Sequence, residues 1–398
     1  MGSNSVLLDG LRDQLAVLAQ QQLLRKRWAV ESACAPEMMV DGQRLLAFCS
    51  NDYLGLAADP RIAEALCEGA QRYGAGSGAS HLISGHSKAH ALLESALAEF
   101  LAPQLVNGRV LYLSSGYVAN LAVITALADK QSEIFSEALN HASLIDGTRL
   151  SRAKVSVYPH RDLQALAALL AGSTAARKLV VTDSVFSMDG DLAPLPELLA
   201  LCEQHDAWLI VDDAHGFGVL GEHGRGALEH FAIRSPQLVV IGTLSKAAGV
   251  AGAFVAAHET VIEWLVQRAR SYIYSTASPP SLAHALLTSV KIIATEEGRQ
   301  RRGALNQRIK QWQAGLSLQC WQRLVSDNAI QPVVIGDNAT TMLVGQALRA
   351  RGFWVGSVRP PTVPAGTSRL RVTLSAAHTE SQVAQLIAAL TAVEGELA

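Results

Sequence analysis

Two apolar runs in the sequence each end in side chains that could do chemistry. Trp208–Gly216 reads WLIVDDAHG and ends in Asp212 and His215, and Leu238–Lys246 reads LVVIGTLSK and ends in Lys246. Continuous β-branched runs are typical of strands at the centre of a parallel sheet, and ligands bind beyond the carboxyl ends of such strands. We therefore expect an acid, an imidazole and a lysine to share one crevice. Pyridoxal 5′-phosphate (PLP) requires such an acid and a lysine for a Schiff base.

Each run also has an ordinary structural interpretation. An acid–acid–Ala–His step after a strand can be a helix cap or a magnesium site, and a lone lysine there is usually solvated. A nicotinamide-binding fold is disfavoured, because the glycine-rich segment Tyr73–Gly85 has Ala79 where the G-x-G-x-x-G spacing needs glycine. No G-x-S-x-G elbow supports a serine hydrolase. The role of the segment 73–85 stays open.

Three further segments add chemistry at predicted strand ends. Ser114–Ala128 reads as a strand end, a glycine turn and a helix, so the backbone N–H groups of Gly116 and Tyr117 could bind a phosphate. His141 stands at the start of a predicted helix and either caps it or faces a planar ring. Ser187 follows another strand and could join a hydroxyl network. Alone, each motif is weak.

Composition excludes several classes of function. The chain of 398 residues is 49% hydrophobic with a formal net charge of −2, which argues against nucleic acid or an anionic membrane as partner. The five cysteines are scattered and form no C-x-x-C pair, which fits a reducing compartment and predicts neither disulfides nor a zinc site. The start of the chain lacks the pattern of an export signal. We expect a cytoplasmic protein with no metal.

Short apolar strands alternate with helical stretches over residues 60–258, which predicts a mostly parallel α/β sheet of seven strands. The predicted strands are Val110–Leu113, Glu133–Phe135, Lys154–Tyr158, Leu179–Asp183, Trp208–Asp212, Leu238–Gly242 and Ala253–Ala256. An amphipathic helix is predicted over Leu7–Val30. We expect an N-terminal helix and extension at 1–50 that packs with the small domain, a large PLP-binding domain at 51–290 and a small α+β domain at 291–398.

Taken together, these segments resemble the α-oxoamine synthases, a PLP-dependent family of fold type I (aspartate aminotransferase-like). The resemblance runs from SNDYLG at Ser50–Gly55 to RLRVTL at Arg369–Leu374, nearly the whole chain. It implies a large, mostly parallel seven-stranded sheet domain, a small C-terminal α+β domain, and a homodimer with active sites at the interface. Ser245 and Phe217 stand where many relatives carry glycine and threonine, and neither change removes a reacting group.

The resemblance also implies a role for individual residues. Lys246 would carry PLP as a Schiff base, Asp212 would pair with the pyridine nitrogen, and Arg371 would bind the amino-acid carboxylate. The expected catalytic residues are Lys246, His141, Asp212 and His215. The residues expected to hold the cofactor are Gly116, Tyr117, His141, Ser187, Asp212, His215, Thr243 and Lys246. The residues expected to contact substrate are Arg25, Asn51, His141, Thr362 and Arg371.

Within the family, Val358–Thr373 and Ile330–Asn338 match members that act in biotin biosynthesis. The implied reaction is a decarboxylative condensation of L-alanine with a pimeloyl thioester, carried on coenzyme A or on acyl carrier protein. A glycine-using synthase such as 2-amino-3-ketobutyrate CoA ligase is the nearest alternative, since the two amino acids differ by one methyl group. A non-catalytic partner subunit is disfavoured, because it should lack Lys246 or Asp212.

Overall fold

The computed structural model describes residues 6–397, so the first five residues of the predicted extension, where the export signal was judged absent, lie outside the described part. The strands are β1 Glu37–Val40, β2 Gln43–Phe48, β3 Gly108–Leu113, β4 Ser132–Glu137, β5 Lys154–Tyr158, β6 Arg177–Asp183, β7 Ala207–Asp212, β8 Leu238–Thr243, β9 Ala253–His258, β10 Gln322–Arg323, β11 Ile330–Gly336, β12 Phe353–Val358 and β13 Ser368–Thr373. The α-helices are α1 Val6–Gln20, α2 Pro60–Tyr73, α3 Lys88–Leu101, α4 Gly116–Leu127, α5 Ala142–Ser151, α6 Leu163–Gly172, α7 Leu195–Gln204, α8 Ala227–His230, α9 Glu259–Arg268, α10 Arg270–Ile273, α11 Pro280–Ala294, α12 Glu296–Gly315, α13 Asn338–Ala350 and α14 Glu380–Leu397.

The chain divides into two compact units. The larger comprises residues 51–187 and 191–304, and the smaller comprises residues up to 50, 188–190 and those from 305 onward. The second boundary therefore falls inside α12, whereas the sequence places it after residue 290. None of the helices in residues 6–397 combines the length and apolar character needed to cross a bilayer.

The larger unit is built on a seven-stranded sheet with the order β3-β9-β8-β7-β6-β4-β5. Strand β9 runs antiparallel to both neighbours, while β8, β7, β6, β4 and β5 pair in parallel. The predicted mostly parallel seven-stranded sheet is therefore confirmed. The carboxyl ends of the parallel strands lie at one edge, where a ligand site is expected.

Two core clusters, one on each face of this sheet, explain why its strands are apolar throughout. Val181, Ile210 and Val239 belong to one cluster, and Val180 and Leu209 belong to the other. Because successive side chains of a strand point to opposite faces, a strand covered on both faces has no position for a polar residue. Polar side chains then first occur where the strands end, which places the chemistry at the edge.

The smaller unit contains a six-stranded sheet with the order β1-β2-β12-β13-β11-β10. Strand β2 pairs in parallel with β12, so residues 37–48 are part of the same sheet as the C-terminal strands. The predicted helix Leu7–Val30 is too long, because α1 ends at Gln20 and Gln22 has a left-handed φ of 57°. The chain is then extended, and Val30 forms a bridge with Val40.

Candidate active site

The ends of β7 and β8 bring the predicted acid and lysine to one edge of the large sheet. Asp212 is the last residue of β7, Thr243 is the last residue of β8, and Lys246 follows three residues later. Asp212 pairs with Ile241 in the parallel register, so the two strand ends are adjacent. Asp212 and Thr243 are buried and Lys246 is half-buried. The sequence-predicted juxtaposition is present within the larger unit.

Lys246 begins a chain of polar contacts that the sequence did not predict in full. Its Nζ lies 2.9 Å from Nε2 of His215. Nδ1 of the same ring lies 2.5 Å from the hydroxyl of Tyr53, a side chain that is 1% exposed. The Tyr53 hydroxyl in turn donates to Oδ1 of Asn51 at 3.2 Å. The predicted residues Lys246, His215 and Asn51 are thus joined through Tyr53.

The direction of donation along this chain follows from the chemistry of its first member. An ammonium group only donates hydrogen bonds, so with Lys246 charged the Nε2 atom of His215 must accept. The ring proton of neutral His215 then sits on Nδ1 and is donated to the oxygen of Tyr53. That oxygen keeps its own proton for Asn51, so each group has one defined role. The chain therefore fixes the tautomer and orientation of His215 beside the lysine.

A second polar network holds Asp212. Its Oδ2 accepts a hydrogen bond from Nδ2 of Asn120 at 2.6 Å, and its Oδ1 accepts from the backbone N–H of Ala214 at 3.0 Å. Asn120 lies on α4 and also donates to Oγ of Ser143 at 2.8 Å. A donor on each oxygen holds the Asp212 carboxyl group in one orientation at the edge of the sheet. In that position it could face a cationic group such as a protonated pyridine.

His141 is the N-cap of α5 and belongs to the same network. Its Nδ1 lies 2.6 Å from Oγ of Ser143, and its backbone N–H donates to Oδ2 of Asp183 at 2.8 Å. Burial lowers the pKa of His141, which keeps the ring neutral. Asp183 ends β6 beside Asp212, and burial together with that neighbouring carboxylate raises the pKa of Asp183 well above its usual range. Asp183 is therefore the member of this carboxyl pair whose protonated form is favoured.

The start of α4 offers a cradle for a phosphate. Gly116 is its first residue, and a Cβ placed there would lie 2.6 Å from Oγ1 of Thr243, so only glycine leaves this space open. Ser115 caps the helix by accepting from the N–H of Val118, whereas the N–H groups of Gly116 and Tyr117 are outside the helix's own hydrogen bonds. A phosphate suits such a helix start. Together with Asp212 and Lys246, this cradle fits PLP.

The remaining predicted site residues are divided between the two units. Asn51 and Ser187 are half-buried in the larger unit. Arg371 belongs to the smaller unit, where it lies on β13 with 9% exposure and its Nη1 donates to Oγ1 of Thr373 at 3.2 Å. Arg25 and Thr362, also in the smaller unit, line one cavity of about 670 Å³. Substrate contacts by these residues stay predictions.

Asp213, which adjoins the predicted acid, has a structural role instead. It accepts from Oγ of Ser184 at 2.6 Å and from the N–H of Ala227 at 3.0 Å. A Cβ on Gly226 would lie 1.9 Å from its Oδ2, so the turn is folded directly onto this carboxyl. Burial raises the pKa of Asp213 to about 7. Of the two consecutive acids, Asp212 is thus the one in the network of Asn120.

Four residues of these networks were missed from the sequence, namely Tyr53, Asn120, Ser143 and Asp183. All four lie inside or next to segments that the sequence analysis singled out, but these residue types do not by themselves indicate a role in an active site. Tyr53 is part of SNDYLG, and Asn120 is the one amide within an otherwise apolar helix sequence. One signal was available for Asn120: it is a polar residue at a position that an apolar helix should bury.

Comparison with known proteins shows which family the chain resembles. The model of the aminotransferase class I and II family matches residues 43–390. The 8-amino-7-oxononanoate synthase of Janthinobacterium sp. (strain Marseille) is 67% identical over 388 residues, covering 98% of both chains. The solved 8-amino-7-oxononanoate synthase of Francisella tularensis is 31% identical with a TM-score of 0.74, covering 88% of this chain and 98% of its own.

A serine palmitoyltransferase variant from S. paucimobilis with bound PLP–myriocin is 29% identical with a TM-score of 0.91, covering 99% of both chains. These likenesses confirm the predicted fold type I. The curated relatives at 59–67% identity share the name 8-amino-7-oxononanoate synthase. The chain therefore belongs to the class I and II aminotransferase family and, within it, to the 8-amino-7-oxononanoate synthases.

Proposed function

We propose that the protein uses PLP to condense L-alanine with a pimeloyl thioester, giving 8-amino-7-oxononanoate, CO2 and free carrier thiol in biotin biosynthesis. One observation carries this proposal. Lys246 contacts His215 while Asp212, on the adjacent strand end, accepts a hydrogen bond from Asn120. Lysine and acid are the two groups that PLP chemistry requires. The identity of 67% to a named synthase supports the choice of reaction within that chemistry.

The residues that would hold PLP come from the ends of four strands, β4, β6, β7 and β8, and from the start of α4. Lys246 would hold the cofactor covalently through its amine, Asp212 would bond the pyridine nitrogen, and the helix start at Gly116 with Thr243 would bind the phosphate. His141 and Ser187 are proposed to contact the ring and its oxygen. When bound, PLP withdraws electron density from the Cα of an amino acid attached to it.

Lys246 is proposed to act twice. It first holds the cofactor, and once the amino group of alanine has displaced it, its free amine can take the Cα proton as a general base. His215 accepts a hydrogen bond from Lys246, so it orients the amine. Tyr53 and Asn51 keep His215 in the accepting tautomer. The amine of Lys246, which would take the Cα proton, is thus positioned by protein side chains and not by solvent.

Three residues of the smaller unit are proposed to bind substrate. Arg371 is suited to an amino-acid carboxylate, because a guanidinium donates two parallel hydrogen bonds to it. Arg25 and Thr362 line the cavity of about 670 Å³ whose other lining residues include Lys26 and Arg359. Such a basic cavity suits the phosphate-bearing arm of the thioester, which both coenzyme A and acyl carrier protein possess.

The protein is also proposed to be a homodimer that works in the cytoplasm. Leu82, Ile83 and Tyr274 of the larger unit are 47%, 81% and 72% exposed. Large apolar side chains of this kind are commonly covered by a second subunit. The five cysteines include no C-x-x-C pair, as is usual for proteins of a reducing compartment. Light scattering should give about twice the chain mass of 42.3 kDa, and a monomer at assay concentration would contradict the dimer.

The function is tested by thiol release from PLP-loaded protein. We expect rapid release with pimeloyl-CoA plus L-alanine and little with acetyl-CoA plus glycine. Product identity is checked by mass spectrometry. Release with the second pair alone would overturn the substrate assignment and leave the PLP chemistry of Lys246 intact.

A variant of Lys246 tests the PLP chemistry independently of the choice of substrate. Lys246→Ala should abolish thiol release and the visible absorbance of the covalently held cofactor, because no other amine is placed to replace it. Lys291→Ala, on α11, is the matched control and should retain both. Turnover by Lys246→Ala would refute the role given to this lysine.

A further inference from the structure

Three histidines converge where the glycine-rich segment 73–85 leads into α3. His81 lies in a π-helical turn, His86 follows it, and His90 lies in the first turn of α3. One ring nitrogen of each lies within 4.8 Å of the others, and Nδ1 of His81 is 3.1 Å from Nδ1 of His86. The cluster belongs to the larger unit and shares no residue with the PLP site described above.

Two of the three rings are buried and two of them touch. His81 and His90 are 8% and 0% exposed. The 3.1 Å contact between Nδ1 of His81 and Nδ1 of His86 requires a nitrogen with a free electron pair on one of these rings. Neutral imidazole nitrogens are the preferred ligands of Zn²⁺ and of other borderline divalent ions.

The outer nitrogens of two rings have the partners that metal-binding histidines use. Nε2 of His90 lies 2.9 Å from the carbonyl oxygen of Ser278, which can only accept, so this nitrogen has the proton and Nδ1 has the electron pair. Nε2 of His86 lies 3.8 Å from Oε2 of Glu94. The hydrogen bond to the carbonyl fixes the tautomer of His90, while Glu94 lies beyond hydrogen-bond distance and places a carboxyl group next to the outer nitrogen of His86. His81 is stacked on Tyr272 at 4.7 Å.

One separation within the cluster is close to that of a tetrahedral zinc site, and the three ligand nitrogens lie within 4.8 Å of one another. Two ligands at about 2.0–2.1 Å from Zn²⁺ lie about 3.3 Å apart, and the His81–His86 separation is 3.1 Å. His90 would complete the set by moving inward. Its Nδ1 now accepts the N–H of Ser87 at 3.0 Å, so coordination replaces that capping bond. The His86 side chain is 33% exposed, which gives an ion access to the two buried rings.

We propose that His81, His86 and His90 bind a divalent ion such as Zn²⁺, with Glu94 orienting His86, and that this ion fastens the glycine-rich segment to α3. The proposal departs from the expectation of no metal, which considered cysteines and C-x-x-C pairs. It also gives a function to the segment 73–85, whose role the sequence left open. Water would take the fourth position of the tetrahedral site, as it does at zinc sites that have three protein ligands.

The proposal is tested by zinc binding to the PLP-loaded protein after treatment with chelator. Titration calorimetry and elemental analysis after gel filtration should give about one zinc per chain. His86→Gln is the first variant, because its partly exposed ring can be replaced with little effect on folding. We expect His86→Gln to weaken binding by at least about tenfold and Glu94→Gln by about tenfold. His230→Gln removes an exposed histidine outside the cluster and should bind zinc as the parent does.

Two controls locate the ion. Alkylation of the exposed Cys67 and Cys320 should leave zinc binding unchanged, and the visible absorbance of the bound cofactor should not move. Zinc retained equally by His86→Gln and the parent, or no zinc retained by the parent, would overturn the proposal. Loss of binding on alkylation, or a change in cofactor absorbance, would place the ion elsewhere and would also overturn it.

Discussion

At the scale of single residues, the site depends on side chains that position other side chains. Lys246 and Asp212 would act on the cofactor directly, but each is held in position by a hydrogen bond from or to a buried neighbour. This neighbour is His215 for the lysine and Asn120 for the acid. A hydrogen bond to a charged group contributes about 1.5–3 kcal/mol. Removing one such neighbour should therefore change the rate more than it changes the fold.

Tyr53→Phe tests this at the hydroxyl that holds His215. The variant keeps the ring but removes the oxygen 2.5 Å from Nδ1, so His215 loses the acceptor that fixes its tautomer. We expect kcat to fall by about tenfold and the pH profile of kcat to change shape. Unfolding should stay nearly unchanged.

Tyr158→Phe is the matched control, because Tyr158 is also 1% exposed and lies outside the site. It should leave kcat and its pH profile as in the parent. If both variants behaved alike, or if Tyr53→Phe altered unfolding alone, Tyr53 would have no positioning role.

At the scale of elements, the loop after β8 is held by close backbone packing. Gly249 follows Lys246 by three residues and its N–H donates to the carbonyl of Lys246 at 2.8 Å. It has a φ of +71°, and a Cβ there would lie 2.5 Å from the backbone nitrogen of Ala57. The loop that delivers the lysine therefore needs glycine for conformation and for space.

Gly249→Ala should destabilise the fold and reduce cofactor occupancy, because the added methyl displaces the lysine loop. Gly42→Ala is the control, since Gly42 has the same φ of +71° with nothing within 4 Å of its Cβ position. Left-handed strain alone costs about 1–2 kcal/mol, and overpacking adds about 1–3 kcal/mol at Gly249. Chemical unfolding and cofactor absorbance measure the two effects. Equal losses in both variants would contradict the packing argument.

At the scale of the whole molecule, one histidine links stability to pH. Burial by itself lowers the pKa of His160, but hydrogen bonds to Asp191 and Glu137 outweigh burial and raise the pKa of His160 from 6.5 to about 9. The ring lies 2.7 Å from Oε1 of Glu137 and 2.8 Å from Oδ2 of Asp191. The folded protein therefore binds this proton more tightly than the unfolded chain does.

A raised pKa in the folded state stabilises the protein fully below the unfolded value of about 6.5, and this contribution is lost as the pH rises through about 9. The side chain is 30% exposed, so solvent screening limits the contribution to about 1–2 kcal/mol. Urea unfolding of the parent between these pH values should show the decline. The His160→Gln variant should be less stable than the parent at pH 6.5. It should also lack most of the decline in stability that the parent shows as the pH rises. An equally steep decline in the variant would assign the effect to other groups.

The sequence by itself determined the large sheet, its parallel character, and the positions of the acid and lysine at strand ends. It could do so because a strand covered on both faces must be apolar along its whole length, which leaves a legible pattern. Asp212 and Lys246 were then predicted because they stand where such apolar runs end, Asp212 as the last residue of β7 and Lys246 three residues after β8.

Tertiary structure alone decided which side chains complete the site. Tyr53 and His215 are separated by 162 residues and Asn120 and Asp212 by 92, and neither pair has a spacing that local periodicity could reveal. Asp212 rather than Asp213 was already expected from the resemblance, but the contact of Asp212 with Asn120 depends on the packing of α4 and of the turn at Gly226. Such contacts arise from long-range packing, which a local pattern does not record.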